Sequence, residues 1–102
     1  MLKIRNYNIY FKHKPDEWGY TISVLNGRNV ETAYKGITYC HVELDGEVIS
    51  TGVAYCGLAD RFDKPTGRKI SIGRAIKGLD EGFRKEVWDS YFKLARKPKA
   101  QK

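Results

Sequence analysis

The stretch from Cys56 to Leu79, CGLADRFDKPTGRKISIGRAIKGL, divides the chain into a β-patterned N-terminal half and a helical C-terminal half. Asp63 is a good N-cap residue, and Pro65 belongs in a first helical turn, where a missing N–H costs nothing. A helix is therefore expected to start near Lys64. At ~100° per residue, Arg68, Ile72, Ala75, Ile76 and Leu79 fall on one side and Ile70, Arg74 and Lys77 on the other. The first side is an apolar face that carries an arginine. The second is a basic face that carries an isoleucine, so this helix is the first place to look for function.

Upstream, Lys3 to Phe11 alternates and reads as a strand with one wet face, and His13 to Glu17 reads as a turn. Trp18 to Leu25 alternates again and ends at Asn26-Gly27, a hairpin signal that leads into a strand from about Arg28 to Tyr34. Lys35-Gly36 is only a weak break. Ile37 to Leu44 and Glu47 to Cys56 form the next hairpin, closed by Asp45-Gly46, with Leu44 expected opposite Glu47 and Cys40 opposite Thr51. One face of it would carry Thr38, Cys40, Val42, Leu44, Ile49, Thr51, Val53 and Tyr55. The other would carry Ile37, Tyr39, His41, Glu43, Val48 and Ser50, with Gly52, Ala54 and Cys56 leaving a shallow groove for a helix, a ligand or another backbone.

After the central helix, Gly78 permits a stop and Asp80 caps a second helix whose stripe is Phe83, Val87, Trp88, Tyr91, Leu94 and Ala95. The expected fold class is α+β: an N-terminal antiparallel sheet of about five strands followed by a two-helix C-terminal hairpin. Residues 1–92 form a single domain and 93–102 a basic tail. Lys93, Arg96, Lys97, Lys99 and Lys102 supply five of the nineteen basic groups, whereas the first 92 residues carry a net charge of only +2 out of the +7 total. The tail is thus most of the basic balance, and the body of the domain is close to neutral.

No apolar run approaches the ~20 residues that span a bilayer, and the N-terminus lacks a signal-peptide layout. No membrane association is expected, and the cytoplasm is the expected location. Cys40 and Cys56 lie too far apart along the hairpin for a disulfide and read as reduced, small, buried residues.

Catalytic signatures are missing: there is no H-E-x-x-H, C-x-x-C, Walker lysine or G-x-G-x-x-G, and neither His13 nor His41 sits in a triad context. No enzyme activity, catalytic residue, metal or cofactor is expected; Cys40, His41 and Cys56 would converge on a metal only in a different strand register. A helix-turn-helix is disfavoured because the second helix opens on Asp80 and Glu81, which phosphates would repel. A sheet-based reader of nucleic acid could use Tyr7, Tyr10, Tyr20 and Arg28.

The remaining constellation is Asp60, Phe62, Asp63, Gly67, Arg68 and Arg74. Helix N-terminal amides bind anions, arginine offers a planar fork for phosphate, and Phe62 could supply one side of a stack on a base. That chemistry suits a nucleotide with two or more phosphates. The alternative is that Arg68 pairs with Asp60 or Asp63 to pin the loop while Arg74 is solvated.

The segment Gly52 to Ala75, G-x-A-x-C-x-x-x-D-x-F-D-K-x-x-G-R-x-x-x-x-x-R-A, followed by a Trp- and Tyr-bearing helix, resembles small bacteriophage proteins, and among them the first family of Thoeris anti-defence proteins. The resemblance covers the C-terminal half and, in layout only, the N-terminal strands. It implies a sheet followed by two helices, a homo-oligomer with sites between protomers, and a sponge activity that sequesters cyclic ADP-ribose isomers or cyclic oligonucleotides. Phe62, Asp63, Arg68 and Arg74, with Arg28 more loosely, are the positions it would assign to the nucleotide-type ligand. The competing expectation is a phage inhibitor of a nucleic-acid enzyme, such as an anti-CRISPR protein acting on a host CRISPR protein, or a basic nucleic-acid binder.

Overall fold

A computed structural model describes residues 2–95 of the chain. Five strands, β1 (Leu2–Ile4), β2 (Tyr7–Lys14), β3 (Gly19–Leu25), β4 (Arg28–Leu44) and β5 (Glu47–Gly57), precede helices α1 (Lys64–Ile76) and α2 (Glu81–Ala95). The fold is α+β, an antiparallel sheet followed by two helices.

The strand count matches expectation, but the strands divide differently. Lys3 to Phe11 is not one strand: Ile4 pairs with Tyr7 across a tight turn in which Arg5 takes φ 55°, and an ion pair from Arg5 to Glu86 at 2.5 Å holds it there. His13 lies within β2 rather than in a turn. Lys35-Gly36 does not end a strand either, so the two expected segments are one 17-residue strand, β4.

Strand β4 organises the sheet. Tyr34 pairs with both Gly19 and Gly57, so β3 and β5 lie on opposite edges of β4; Ile37 to Leu44 pair with β2 on one side and β5 on the other. Strands β2 and β3 therefore follow each other along one edge. Beyond Tyr34 no strand among the described residues flanks β4 opposite β3, and residues 19–34 project as a two-stranded ribbon. Both hairpin tips are as expected: Asn26-Gly27 and Asp45-Gly46 have φ of 53°, 76°, 52° and 83°, the left-handed values that suit the strand twist.

The β4–β5 register contains one correction with wide effect. Leu44 does face Glu47, but a bulge between Val42 and Glu43 puts Cys40 opposite Gly52, not Thr51. A single extra residue reverses the side-chain alternation beyond it. The apolar side of β4, with Thr38, Cys40 and Val42, is thereby joined to the small residues Ser50, Gly52 and Ala54 of β5, which sequence alternation assigned to the other face. Helix α1 fills the groove those small residues leave. A Cβ on Gly52 would lie 2.0 Å from the Ser71 carbonyl oxygen, and Ser50 donates to the Ala75 carbonyl at 2.5 Å.

The core lies between this face and the helices: Leu2, Ile4, Ile9, Cys40 and Val42 from the sheet, Ile72, Ala75 and Ile76 from α1, and Phe83, Val87 and Tyr91 from α2. Burial of Ile72, Ala75 and Ile76 follows the expected stripe. Leu94 is exposed, because only the first three turns of α2 reach the sheet, where Phe83 packs on Tyr7 and Tyr91 on Phe11. Lys93 belongs to the last turn of α2; the other basic residues of the tail lie outside the described residues. Among the described residues, no helix is long and apolar enough to cross a membrane.

Candidate functional site

The loop between β5 and α1 lies across the middle of β4. A tight turn closes it first, with the Asp60 amide donating to the Gly57 carbonyl at 3.1 Å. Phe62 then packs against Gly36, whose missing side chain makes the room: a Cβ there would come within 2.6 Å of the ring. The Phe62 ring also meets His13 edge-on, with centroids 6.1 Å apart. What reads in sequence as a weak strand break, Lys35-Gly36, is the seat of an aromatic side chain.

Phe62 separates two adjoining cavities. One, of about 200 Å³, has walls of Tyr55, Cys56, Phe62, Thr66 and Ile70 over a floor of Thr38 and Ala54. The other, of about 580 Å³, is shallower and lies among Pro15, Asp16, Trp18, Lys35 and Ala59. Asp60, Arg61 and Phe62 line both. The first offers flat apolar surface. The second offers the cations Lys35 and Arg61 beside an exposed indole.

Of the residues expected from sequence, Phe62 and Asp63 line the smaller cavity, but Asp63 is engaged: it caps α1, accepting from the Thr66 amide at 3.1 Å and from the Thr66 hydroxyl. Those hydrogen bonds hold the Asp63 carboxyl below its ordinary pKa. Gly67 serves a close approach, though the neighbour is the sheet and not a ligand, since a Cβ there would meet the Thr38 hydroxyl.

Arg68 and Arg74 leave α1 on different sides. Arg68 is half-buried and its guanidinium makes no hydrogen bond or ion pair among the described residues, so it does not pin the loop through Asp60 or Asp63. Burial, with the charges of Arg68 and Lys64, lowers the pKa of His13, whose Nδ1 lies 3.1 Å from the Thr38 hydroxyl. Arg74 reaches the open edge of β5 and donates to the Val53 carbonyl at 2.8 Å, satisfying an acceptor that an edge strand leaves bare. Arg28 starts β4 at the ribbon tip, eight residues from Gly36 and so ~26 Å along the strand. The five positions do not converge in one protomer.

Sequence reading overlooked Trp18, Lys35, Tyr55 and Arg61. Their signal was weak because they come from three separate segments, and only the seating of Phe62 on Gly36 brings them together. Cys40 is buried with its thiol pushed up to about 12, and Cys56 is half-buried at the cavity wall. Among the described residues, no group of three or more His, Cys, Asp or Glu side chains is placed to hold a metal ion. Comparisons with known protein families, curated proteins and solved structures find no match to this chain.

Proposed function

We propose that this chain is a non-enzymatic bacteriophage anti-defence protein that binds a nucleotide-type signal, a cyclic ADP-ribose isomer or cyclic oligonucleotide, and sequesters it in the host cytoplasm. The observation that carries the reading is the position of Phe62 as a wall common to both cavities. A base would stack in the apolar cavity against Phe62, while phosphates would lie in the open one toward Arg61 and Lys35. Asp60, between the two, would accept from a ribose hydroxyl or a base amine. The resemblance of the Gly52–Ala75 segment to the Thoeris anti-defence family supports the same ligand class.

The test is mass spectrometry of compounds released by heating the protein after incubation with a panel of cyclic nucleotides and cyclic ADP-ribose isomers, followed by washing. Recovery of one intact compound is expected, with retention lost in an Arg61→Ala, Lys35→Ala double variant. Release of a cleaved product would make the protein an enzyme, and retention of nothing would remove the proposal. Arg74→Ala separates single-protomer binding from a shared site: within one protomer Arg74 is committed to Val53, so loss of binding would place it at a site completed by another copy.

A second reading draws on the sheet face opposite the helices. Tyr10, His41 and Tyr39 form a row of rings there, with centroids 5.3 and 6.0 Å apart, beside Lys12 opposite Tyr39. Aromatic rings with interleaved cations on a sheet suit a single-stranded nucleic acid. Tyr7 has no part in it, since it packs in the core against Phe83. Such binding would weaken steeply with salt.

A further inference from the structure

The ribbon of β3 and the first part of β4 is apolar where water should be. Tyr20, Ile22 and Val24 alternate onto one face and are 60%, 60% and 73% exposed. Leu25 and Val30 are exposed on the other face, and Trp18 at its base. A two-stranded ribbon is marginal in water by itself, and apolar exposure on this scale marks an interaction surface. The edge of β4 between Arg28 and Ala33 that faces away from β3 also has no strand beside it among the described residues.

We propose that this ribbon is an arm that docks on a second copy of the same chain. Charge argues for such a partner: from Trp18 to Lys35 the charged residues are Arg28, Glu31 and Lys35, a balance too close to neutral to attract a polyanion or a strongly acidic protein. Size argues the same way. The six apolar side chains named above, each more than a third exposed, offer on the order of 600 Å² per copy. A docked arm covers a similar area of its partner, so one arm buries about 1,200 Å² in total, the lower end of specific interfaces, and two exchanged arms about twice that. Reciprocal docking is also the closed twofold arrangement, the one that leaves neither copy's arm bare.

Sedimentation velocity at micromolar concentration tests the arm. The wild-type protein is expected to sediment at twice its 11.7 kDa protomer mass or a higher even multiple. The variant Ile22→Lys, Val24→Lys should sediment at the protomer mass, with its far-UV circular dichroism unchanged because both side chains are exposed. Amide exchange gives a second readout: residues 19–33 should become protected as protein concentration rises, and the α2 amides should not change. A monomeric wild type, an assembly of undiminished affinity in the lysine variant, or exchange in the ribbon independent of concentration would each overturn the proposal. Nucleotide retention in the monomeric variant is a separate measurement, so the arm and the ligand site fail independently.

Discussion

Gly52 lies under Ala75 so closely that a Cβ on it would stand 2.3 Å from the Ala75 backbone nitrogen. Backbone is on both sides of the contact, and neither can rotate away. Helix α1 comes this close because β5 presents Ser50, Gly52 and Ala54, and the helix in turn places the Phe62 loop over β4.

Gly52→Ala should therefore push α1 off the sheet, at a cost of about 1–3 kcal/mol or more for overpacking a dense core. Urea unfolding monitored by tryptophan fluorescence measures it. A variant as stable as wild type would mean that α1 does not pack at this distance.

Gly73 is the contrasting case, since a Cβ there would meet only the Trp88 ring at 3.4 Å, an ordinary contact. Replacing a helix-interior glycine with alanine should then stabilise the protein by about 0.5–1 kcal/mol. The same urea experiment detects this as a higher midpoint with unchanged slope.

His13 should make stability depend on pH. Burial first, then the charges of Arg68 and Lys64, depress its pKa below 6.5, so between the folded value and 6.5 the unfolded chain binds more protons. The contribution is complete above 6.5 and is lost as pH falls through the folded pKa. Thermal midpoints of wild type should fall over that window more than those of His13→Asn. Equal slopes for the two proteins would show that His13 titrates normally.

The two thiols should differ in reactivity. Cys40 is buried, with its pKa pushed up to about 12, while Cys56 lines the smaller cavity. A disulfide reagent at mild alkaline pH should modify Cys56 alone in the native protein and both cysteines after denaturation. A ligand seated against Phe62 should slow the Cys56 reaction. Rapid native labelling of Cys40 would contradict the packing of β4 beneath α1.

The parts legible in the sequence are those set within a few residues. Asn26-Gly27 and Asp45-Gly46 turn because their backbones take positive φ at little cost, and α1 begins where Asp63 can cap it over Pro65. The stripe Ile72, Ala75, Ile76 follows from helical period alone. Tertiary structure decided the rest: the Val42–Glu43 bulge, which reassigned Gly52 and Ala54 to the helix face; the seating of Phe62 on Gly36, which made a site from Trp18, Lys35, Tyr55 and Arg61; and the engagement of Arg74 by the Val53 carbonyl at the edge of β5. Local signals are preferences of the backbone and can be read residue by residue. Register, coverage and convergence depend on contacts between segments far apart in the chain, and their free energies exist only once the sheet and helices have packed.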